Sequence, residues 1–177
     1  MSVRIERLER RHRALLGDFQ NQHVELVDYL KRYALRHAEK DMLARTYLAI
    51  DEGAGAPQLA GYFSLATVSV DREHASGVRE LDRLPRFPIP GVLLARLAVD
   101  SRVQGQGLGG HLFEQALGLT LELARNGAAG FRLLVTDAKD ESAARFYERY
   151  GLFRLTAQHP CRMVLDLRPL VLEAGSS

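Results

Sequence analysis

The sequence predicts a mixed α/β fold, a sheet with antiparallel arms and one parallel crossover. Three observations carry this. Alternation of apolar and polar residues with period two marks several strands, and a switch to helical spacing marks the segments between them. A buried strand, GVLLARLAVD, runs through a glycine cluster into an amphipathic helix. A second apolar strand, FRLLVTD, follows that helix, so the two strands around the crossover pair in parallel.

The elements follow in order. VRIERL (Val3–Leu8) alternates as a half-buried strand does. Val24–Ala38 changes period, with Leu26, Leu30, Tyr33, Ala34 and His37 on one helical face. Arg45–Ile50 and Leu59–Val70 flank DEGAGAPQ, a turn containing Gly and Pro, and predict a hairpin. Residues 71–90 are polar, and Pro85, Pro88 and Pro90 mark them as a connecting loop. The buried strand ends near Val99 or Asp100. The helix beyond the glycines carries Leu108, Leu112, Ala116, Leu119 and Leu123 on one face, and Asn126-Gly127 closes it. Phe131–Asp137 is the next strand. Asp140–Gly151 is a short helix with Asp140 as N-cap and Gly151 as its stop. LFRL and RMVLDL are closing strands. With no repeat, low-complexity tract or linker, residues 1–170 are expected to form a single domain, with 171–177 a flexible tail.

Composition narrows the class. A chain of 177 residues, 46% apolar and 26% charged, has enough apolar residues for a full core. The opening MSVRIERLERRHR holds no apolar run, which argues against a secretory leader, and no stretch approaches the ~18 apolar residues of a membrane span. A cytoplasmic protein without membrane contact is expected. Cys161, two residues from His159, is the sole cysteine and reads as structural. The histidines are scattered without metal-ligand spacing, so no metal is expected. A net charge of +2 does not announce a nucleic-acid binder. Arg32, Arg36 and Lys40 nevertheless recur every four residues, forming one cationic stripe on a helix. Such a stripe is either a solvated face, with Asp28 supporting Arg32, or a surface for an anion.

The stretch RVQGQGLGGHLFEQAL (Arg102–Leu117) carries four glycines within six residues ahead of a helix, an arrangement suited to a phosphate. Gly105-x-Gly107-x-x-Gly110 matches the letters of a dinucleotide fingerprint but not its context. Five residues, Asp100–Gln104, separate the strand from the first glycine, and the 67 residues after Gly110 are too few for a doubly wound sheet. No Gly-Lys-Ser/Thr closes the run, which excludes an ATPase loop.

Read from Arg102, the stretch is Arg-x-x-Gly-x-Gly, Arg102-Val-Gln-Gly105-Gln-Gly107, followed by Leu108-Gly109. It resembles the pyrophosphate loop of the GNAT superfamily of acetyl-CoA-dependent N-acetyltransferases. A second segment, Asp140-Glu-Ser-Ala143-Ala-Arg-Phe-Tyr147 and then Gly151-Leu152, is similar to that family's Asn-x-x-Ala-x-x-x-Tyr and Gly-Phe, with Asp for Asn and Leu for Phe. The resemblance covers most of the chain. It implies a mostly antiparallel, twisted sheet of six or seven strands with helices on both faces, and direct attack of a primary amine on the thioester of acetyl-CoA. It further implies that the backbone of Leu97, Ala98 and Val99 meets the pantetheine and thioester. Arg102, Val103, Gln104, Gly105, Gln106, Gly107, Leu108 and Gly109 would hold the diphosphate, and Asp140 and Ala143 would lie beside the pantetheine arm. Tyr147 would donate to the leaving sulfur, since a phenol of pKa about 10 can protonate a thiolate of about 8.5. The residues alone equally allow Tyr147 to be core beside Phe146 and Tyr150. No residue stands out as a general base. That leans toward an α-amine (pKa about 7.7–8.0) over a lysine (about 10.4) as acceptor.

A narrower resemblance is to the GNAT toxins of bacterial toxin–antitoxin modules, which acetylate the α-amine of aminoacyl-tRNA. It rests on Leu26-x-x-Tyr29-Leu30-x-x-x-Ala34, Arg45-Thr46-Tyr47, Gly61-Tyr62-Phe63 and PIPGVLLARLAVD. Phe19-Gln20-Asn21-Gln22 stands where those toxins usually show Phe-x-Cys-Gly. The resemblance implies a basic surface for the acceptor stem, drawn from Arg32, Arg36 and Lys40 with Arg79, Arg83, Arg86 and Arg96, and a ribbon-helix-helix antitoxin as partner; a homodimer is also expected. Arg96, inside a buried strand, could instead form an ion pair at the strand edge. Two further readings stay open: acetylation of a small-molecule or protein amine, and a non-catalytic module that binds acyl-CoA for regulation.

Overall fold

The computed structural model describes residues 2–53, 55–71, 79–84, 88–156, 158 and 160–173. Seven strands form one sheet: β1 (Val3–Arg7), β2 (Arg45–Asp51), β3 (Gln58–Val70), β4 (Ile89–Val99), β5 (Leu133–Ala138), β6 (Phe153–Arg154) and β7 (Cys161–Asp166). Their order is β1-β2-β3-β4-β5-β7-β6. The β4–β5 pair is parallel, whereas β1–β2, β2–β3, β5–β7 and β6–β7 are antiparallel. The mixed fold with one parallel crossover is therefore the one the sequence predicted. The chain packs as two compact units, residues 1–66 with 95–116 and residues 67–94 with 117–177.

In the first unit, β1 and β2 pair from Val3↔Asp51 to Arg7↔Tyr47. The β2–β3 register shifts between Ala49 and Ile50, which face Gly61 and Leu59, so Ala60 is bulged out of the ladder. Its carbonyl instead accepts the backbone N–H of Asp100 at 2.8 Å. Gly61 is required by close approach: a Cβ there would lie 2.8 Å from the Ala98 carbonyl oxygen and 2.9 Å from Leu112 Cδ1. After a 3-10 turn (Arg10–His12) and α1 (Arg13–Leu16), the expected helix spans α2 (Val24–Asp28), a π turn (Tyr29–Tyr33) and α3 (Ala34–Glu39). Periodicity could not show the π turn. Its wider winding slips the register, so Tyr29, Leu30, Ala34 and Ala38 are buried while Tyr33, expected inside, is 47% exposed. The core gathers Leu8, Leu16, Phe19, Tyr29, Leu30, Leu48, Ile50, Leu59 and Tyr62. Its polar atoms are satisfied: Tyr62 Oη donates to the Leu26 carbonyl at 2.7 Å, and the Thr46 and Ser64 hydroxyls pair at 2.8 Å.

In the second unit, Gly91–Leu94 of β4 pair with Leu133–Thr136 of β5, and β7 flanks β5 from Leu133↔Asp166 to Ala138↔Cys161. Val70, Leu81, Ile89, Leu133, Val135 and Val164 form its core. The connection expected as a plain loop contains α4 (Arg79–Asp82), whose Leu81 is 1% exposed. β4 begins at Ile89, so Pro90 lies near the strand start, where a missing N–H costs least. α6 (Glu141–Glu148) is capped by Asp140, whose Oδ1 accepts the Ala143 N–H at 2.8 Å, and Gly151 follows at φ +85°. Val171–Glu173, expected in the tail, are the last turn of α7 (Arg168–Glu173); residues 174–177 lie outside the described residues. Arg132 forks onto Asp166 at 2.5 and 2.8 Å, and Arg154 bridges Glu141 and Glu148. Cys161 is fully buried, its Sγ donating to the Thr156 carbonyl, while its neighbour His159 lies outside the described residues.

α5 (Leu108–Asn126) buries Leu108, Leu112, Phe113, Ala116 and Thr120. Leu123 shares their face but is 52% exposed, because it sits in the last turn, where less of the fold covers the helix. Among the described residues no helix is long and apolar enough to cross a membrane.

Candidate functional site

The glycine stretch joins β4 to α5 through Asp100 and a 3-10 turn (Ser101–Val103). Gly105 and Gly107 adopt φ of +78° and +81°, and a Cβ at either would meet nothing within 4 Å. Backbone conformation, not crowding, therefore demands glycine here. Gly109, expected to share this role, is helical, and a Cβ there would make an ordinary 3.9 Å contact with Val99 Cγ2. The first ladder bond of α5 runs from the His111 N–H to the Gly107 carbonyl at 3.2 Å, which leaves the amides of Leu108, Gly109 and Gly110 ahead of it without helical partners. Three amides at a helix N-terminus, behind two left-handed glycines with open space around them, fit a diphosphate without a lysine.

The base of this loop is wired through Asp100, which is 1% exposed. Its carboxylate accepts from Arg102 Nε and Nη2 (both 2.8 Å) and from the backbone N–H groups of Arg102 and Gln20 (both 2.9 Å). Burial pushes this carboxyl up, but the bonds from Arg102 and Gln20 outweigh it and hold the group below the usual carboxylate range. Arg102, expected at the ligand, spends its guanidinium on Asp100 and on the Asp18 carbonyl at 3.1 Å. Leu97, Ala98 and Val99 run past the last parallel β4–β5 pair, Leu94↔Thr136. The Val99 carbonyl accepts from Asn21 Nδ2 (2.9 Å) and Gln104 Nε2 (3.2 Å), which fills both its lone pairs. Val103 is half-buried and Gln106 exposed.

In the second unit, Tyr147 on α6 is 8% exposed and packs edge-on against Phe146 (5.0 Å, 76°). Its hydroxyl is hydrogen-bonded to Thr136, whose Oγ1 also donates to the Leu94 carbonyl at 3.0 Å. Burial pushes the phenol up, and the Thr136 bond offsets part of that. Tyr147 therefore keeps its proton at neutral pH, as a hydrogen-bond donor must. The Asp140 carboxylate serves as the helix cap, and Ala143, whose N–H it accepts, is half-buried.

Charge concentrates on the helices of the first unit. Arg10, Arg13, Lys31, Arg32, Arg36 and Lys40 line a groove of about 650 Å³, together with Leu16, Gly17, Leu35 and Glu39. Arg10 pairs with Glu39 (2.7 Å), Arg32 with Asp28 (3.5 Å) and Arg36 with Asp41 (3.0 Å). Arg13, Lys31 and Lys40 make no ion pair with a described carboxylate. Among the described residues Arg96 has no carboxylate partner; its Cζ lies 3.6 Å above the Tyr29 ring, a cation–π contact. Arg83 is exposed, while Arg86 and the Arg79 side chain lie outside the described residues.

Residues 44–151 match the model of the acetyltransferase (GNAT) domain. The chain belongs to the GNAT acetyltransferase family. It is 32% identical over 150 residues to the tRNA-acetylating toxin of Mycobacterium tuberculosis (strain ATCC 25618 / H37Rv), a match that spans 82% of this chain and 84% of that protein. Among solved structures, a tyrosine-to-phenylalanine mutant of KacT superposes with a TM-score of 0.86 at 24% identity, covering 98% of this chain and 99% of the other. AtaT complexed with acetyl-methionyl-tRNAfMet superposes with a TM-score of 0.84 at 24% identity, over 98% and 99%. These two share the fold.

For a GNAT acetyltransferase the glycine loop and the α6 segment were legible because each is contiguous. Sequence reasoning missed Arg10, Arg13 and Lys31 in the groove, which only the packing of the 3-10 turn and α1 beside the π turn and α3 brings together. The i,i+3 spacing of Arg10 and Arg13 was the available signal. It also missed Asp18, Gln20, Asn21 and Asp100 at the loop base, for which a buried Asp two residues before an Arg was the only local hint.

Proposed function

We propose that this acetyltransferase moves the acetyl group of acetyl-CoA to the α-amine of aminoacyl-tRNA, acting in the bacterial cytoplasm as the toxin of a toxin–antitoxin pair. The observation that carries the reading is the cationic groove: six Lys/Arg side chains, three of them without a carboxylate partner among the described residues, on a chain of net charge only +2. Such a surface follows a phosphodiester backbone and has no purpose for a small amine. The name of the mycobacterial relative agrees with it.

Acetyl-CoA supplies an activated thioester and a thiolate leaving group. Gly105, Gly107 and the first amides of α5 hold its diphosphate, while the β4 backbone from Leu97 to Val99 aligns the thioester. The Val99 carbonyl is already occupied, so that residue offers only its N–H. The neutral α-amine attacks the carbonyl carbon, a C–N bond replaces the C–S bond, and the surplus amine proton leaves to water. Tyr147 turns its hydroxyl hydrogen from Thr136 to the departing sulfur, and the phenol then regains a proton from solvent. An enzyme that removes charged tRNA would arrest its own cell, so a neutralising ribbon-helix-helix antitoxin is the matching partner.

The test is transfer of labelled acetyl from acetyl-CoA to aminoacyl-tRNA, total protein and polyamines side by side. Label is expected on aminoacyl-tRNA. With about four phosphates neutralised, tRNA affinity is expected to fall roughly a hundredfold between about 50 and 200 mM salt. Label confined to polyamine or protein, or turnover indifferent to salt, would overturn the acceptor.

A further inference from the structure

We infer that Asn21 is a positioning residue for the glycine loop, one tooth of a clamp by which residues 18–21 set the geometry of residues 99–104. The inference rests on the reading that this loop holds the diphosphate of coenzyme A.

The clamp is continuous. The Asp18 carbonyl accepts from Arg102 Nη2, the Gln20 N–H donates to Asp100 Oδ2, the Gln20 carbonyl accepts the Ser101 N–H (2.9 Å), and Asn21 Nδ2 donates to the Val99 carbonyl. Phe19 points the other way, 1% exposed and edge-on to Tyr62 (5.5 Å, 70°), and so anchors the segment in the core. Asn21 is also held on its own side, because its Oδ1 accepts the His23 N–H at 2.9 Å. That bond fixes the amide so that Nδ2 faces Val99.

The loop needs such support. Two left-handed glycines leave it with many accessible conformations, and ordering them on binding weakens affinity. Asn21 and Gln104 close both lone pairs of the Val99 carbonyl, which pins the point where β4 ends and ties Gln104 back across the loop. Gln20 and Asn21 of this clamp fall within Phe19–Gln22, the stretch at which the sequence leaves the toxin pattern.

Asn21→Asp separates the two halves of the amide. It keeps the acceptor for His23 N–H and replaces the donor with an oxygen facing the Val99 carbonyl oxygen. Coenzyme A affinity by calorimetry, KM for each substrate, kcat and melting temperature are measured for wild type, Asn21→Ala and Asn21→Asp. Both variants are expected to bind coenzyme A roughly tenfold more weakly, with KM for acetyl-CoA raised to match and acceptor KM unchanged. Lowering the pH to about 5 is expected to restore Asn21→Asp relative to wild type, since the protonated carboxyl donates again, and to leave Asn21→Ala weak. Unchanged coenzyme A affinity in the variants, or losses that follow melting temperature and ignore pH, would overturn the positioning role. A wild-type chain that fails to bind coenzyme A would overturn the underlying reading of the loop instead.

Discussion

Tyr147 shows how one side chain can be core and reagent together. It is nearly buried against Phe146 and bonded to Thr136, and burial keeps its phenol protonated. The two sequence readings of this residue are therefore compatible, since packing fixes the ring and leaves the hydroxyl hydrogen as the variable. Tyr147→Phe is expected to fold with a nearly unchanged melting temperature and to lower kcat by roughly a hundredfold at similar KM, the usual scale of a lost proton donor. Steady-state kinetics beside a thermal melt decide it; full turnover in the variant would remove the assignment. Arg96 teaches the opposite lesson. Its oddness inside a strand was visible in sequence, but its partner, Tyr29, lies 67 residues earlier and was not.

At the scale of elements, the glycine loop makes the sharpest demand. Gly105 and Gly107 need positive φ, and L-residues there cost about 1–2 kcal/mol each. Gly107→Ala meets no neighbouring atom, so its cost is conformational and falls on the loop rather than on the core. Coenzyme A affinity is expected to drop about tenfold or more while the melting temperature moves by only a few degrees. Equal affinity would show that the loop does not need its left-handed turns. The loop was legible because its chemistry is written in adjacent letters. The clamp beneath it was not, because its bonds join residues about 80 positions apart. The π turn was invisible for another reason: a local change in winding leaves the apolar composition of a helix untouched and alters only which residues face inward.

For the whole molecule, the pattern of strands and one crossover sufficed to give the fold, since six strand pairings leave few alternatives once the buried strand and its glycine loop are placed. Acid stability is a property at this scale. Asp100 in one unit, and Glu141 and Asp166 in the other, sit below the ordinary carboxylate range. Burial raises Asp100 and Asp166 against stronger arginine and backbone bonds, while Arg154 and then Arg145 bring Glu141 to about 2. Carboxylates depressed on folding contribute stability that is complete above their unfolded pKa, about 4, and is lost as pH falls through the folded values. Melting temperature is thus expected to be level near neutrality and to fall steadily below about pH 4, with Asp100→Asn flattening part of that limb. A melt unchanged between about pH 5 and pH 2 would contradict this. Tyr147, raised on folding, acts at the other end: its contribution is present below its unfolded pKa of about 10 and fades as alkali approaches the folded value.

The π turn at Tyr29–Tyr33 has a consequence for how this surface can change. Such a turn houses one surplus residue while the helices on either side keep their inward faces. Lys31 and Arg32, two of the groove cations, sit on that turn directly after Tyr29 and Leu30, which it sends into the core. The rim of the groove is thus a place where charge can vary cheaply, since Lys31 and Arg32 are exposed while Tyr29 and Leu30 hold the turn in the core. A lineage could gain or shed a positive charge there, and retune which polyanion it grips, without disturbing a single buried side chain of α3.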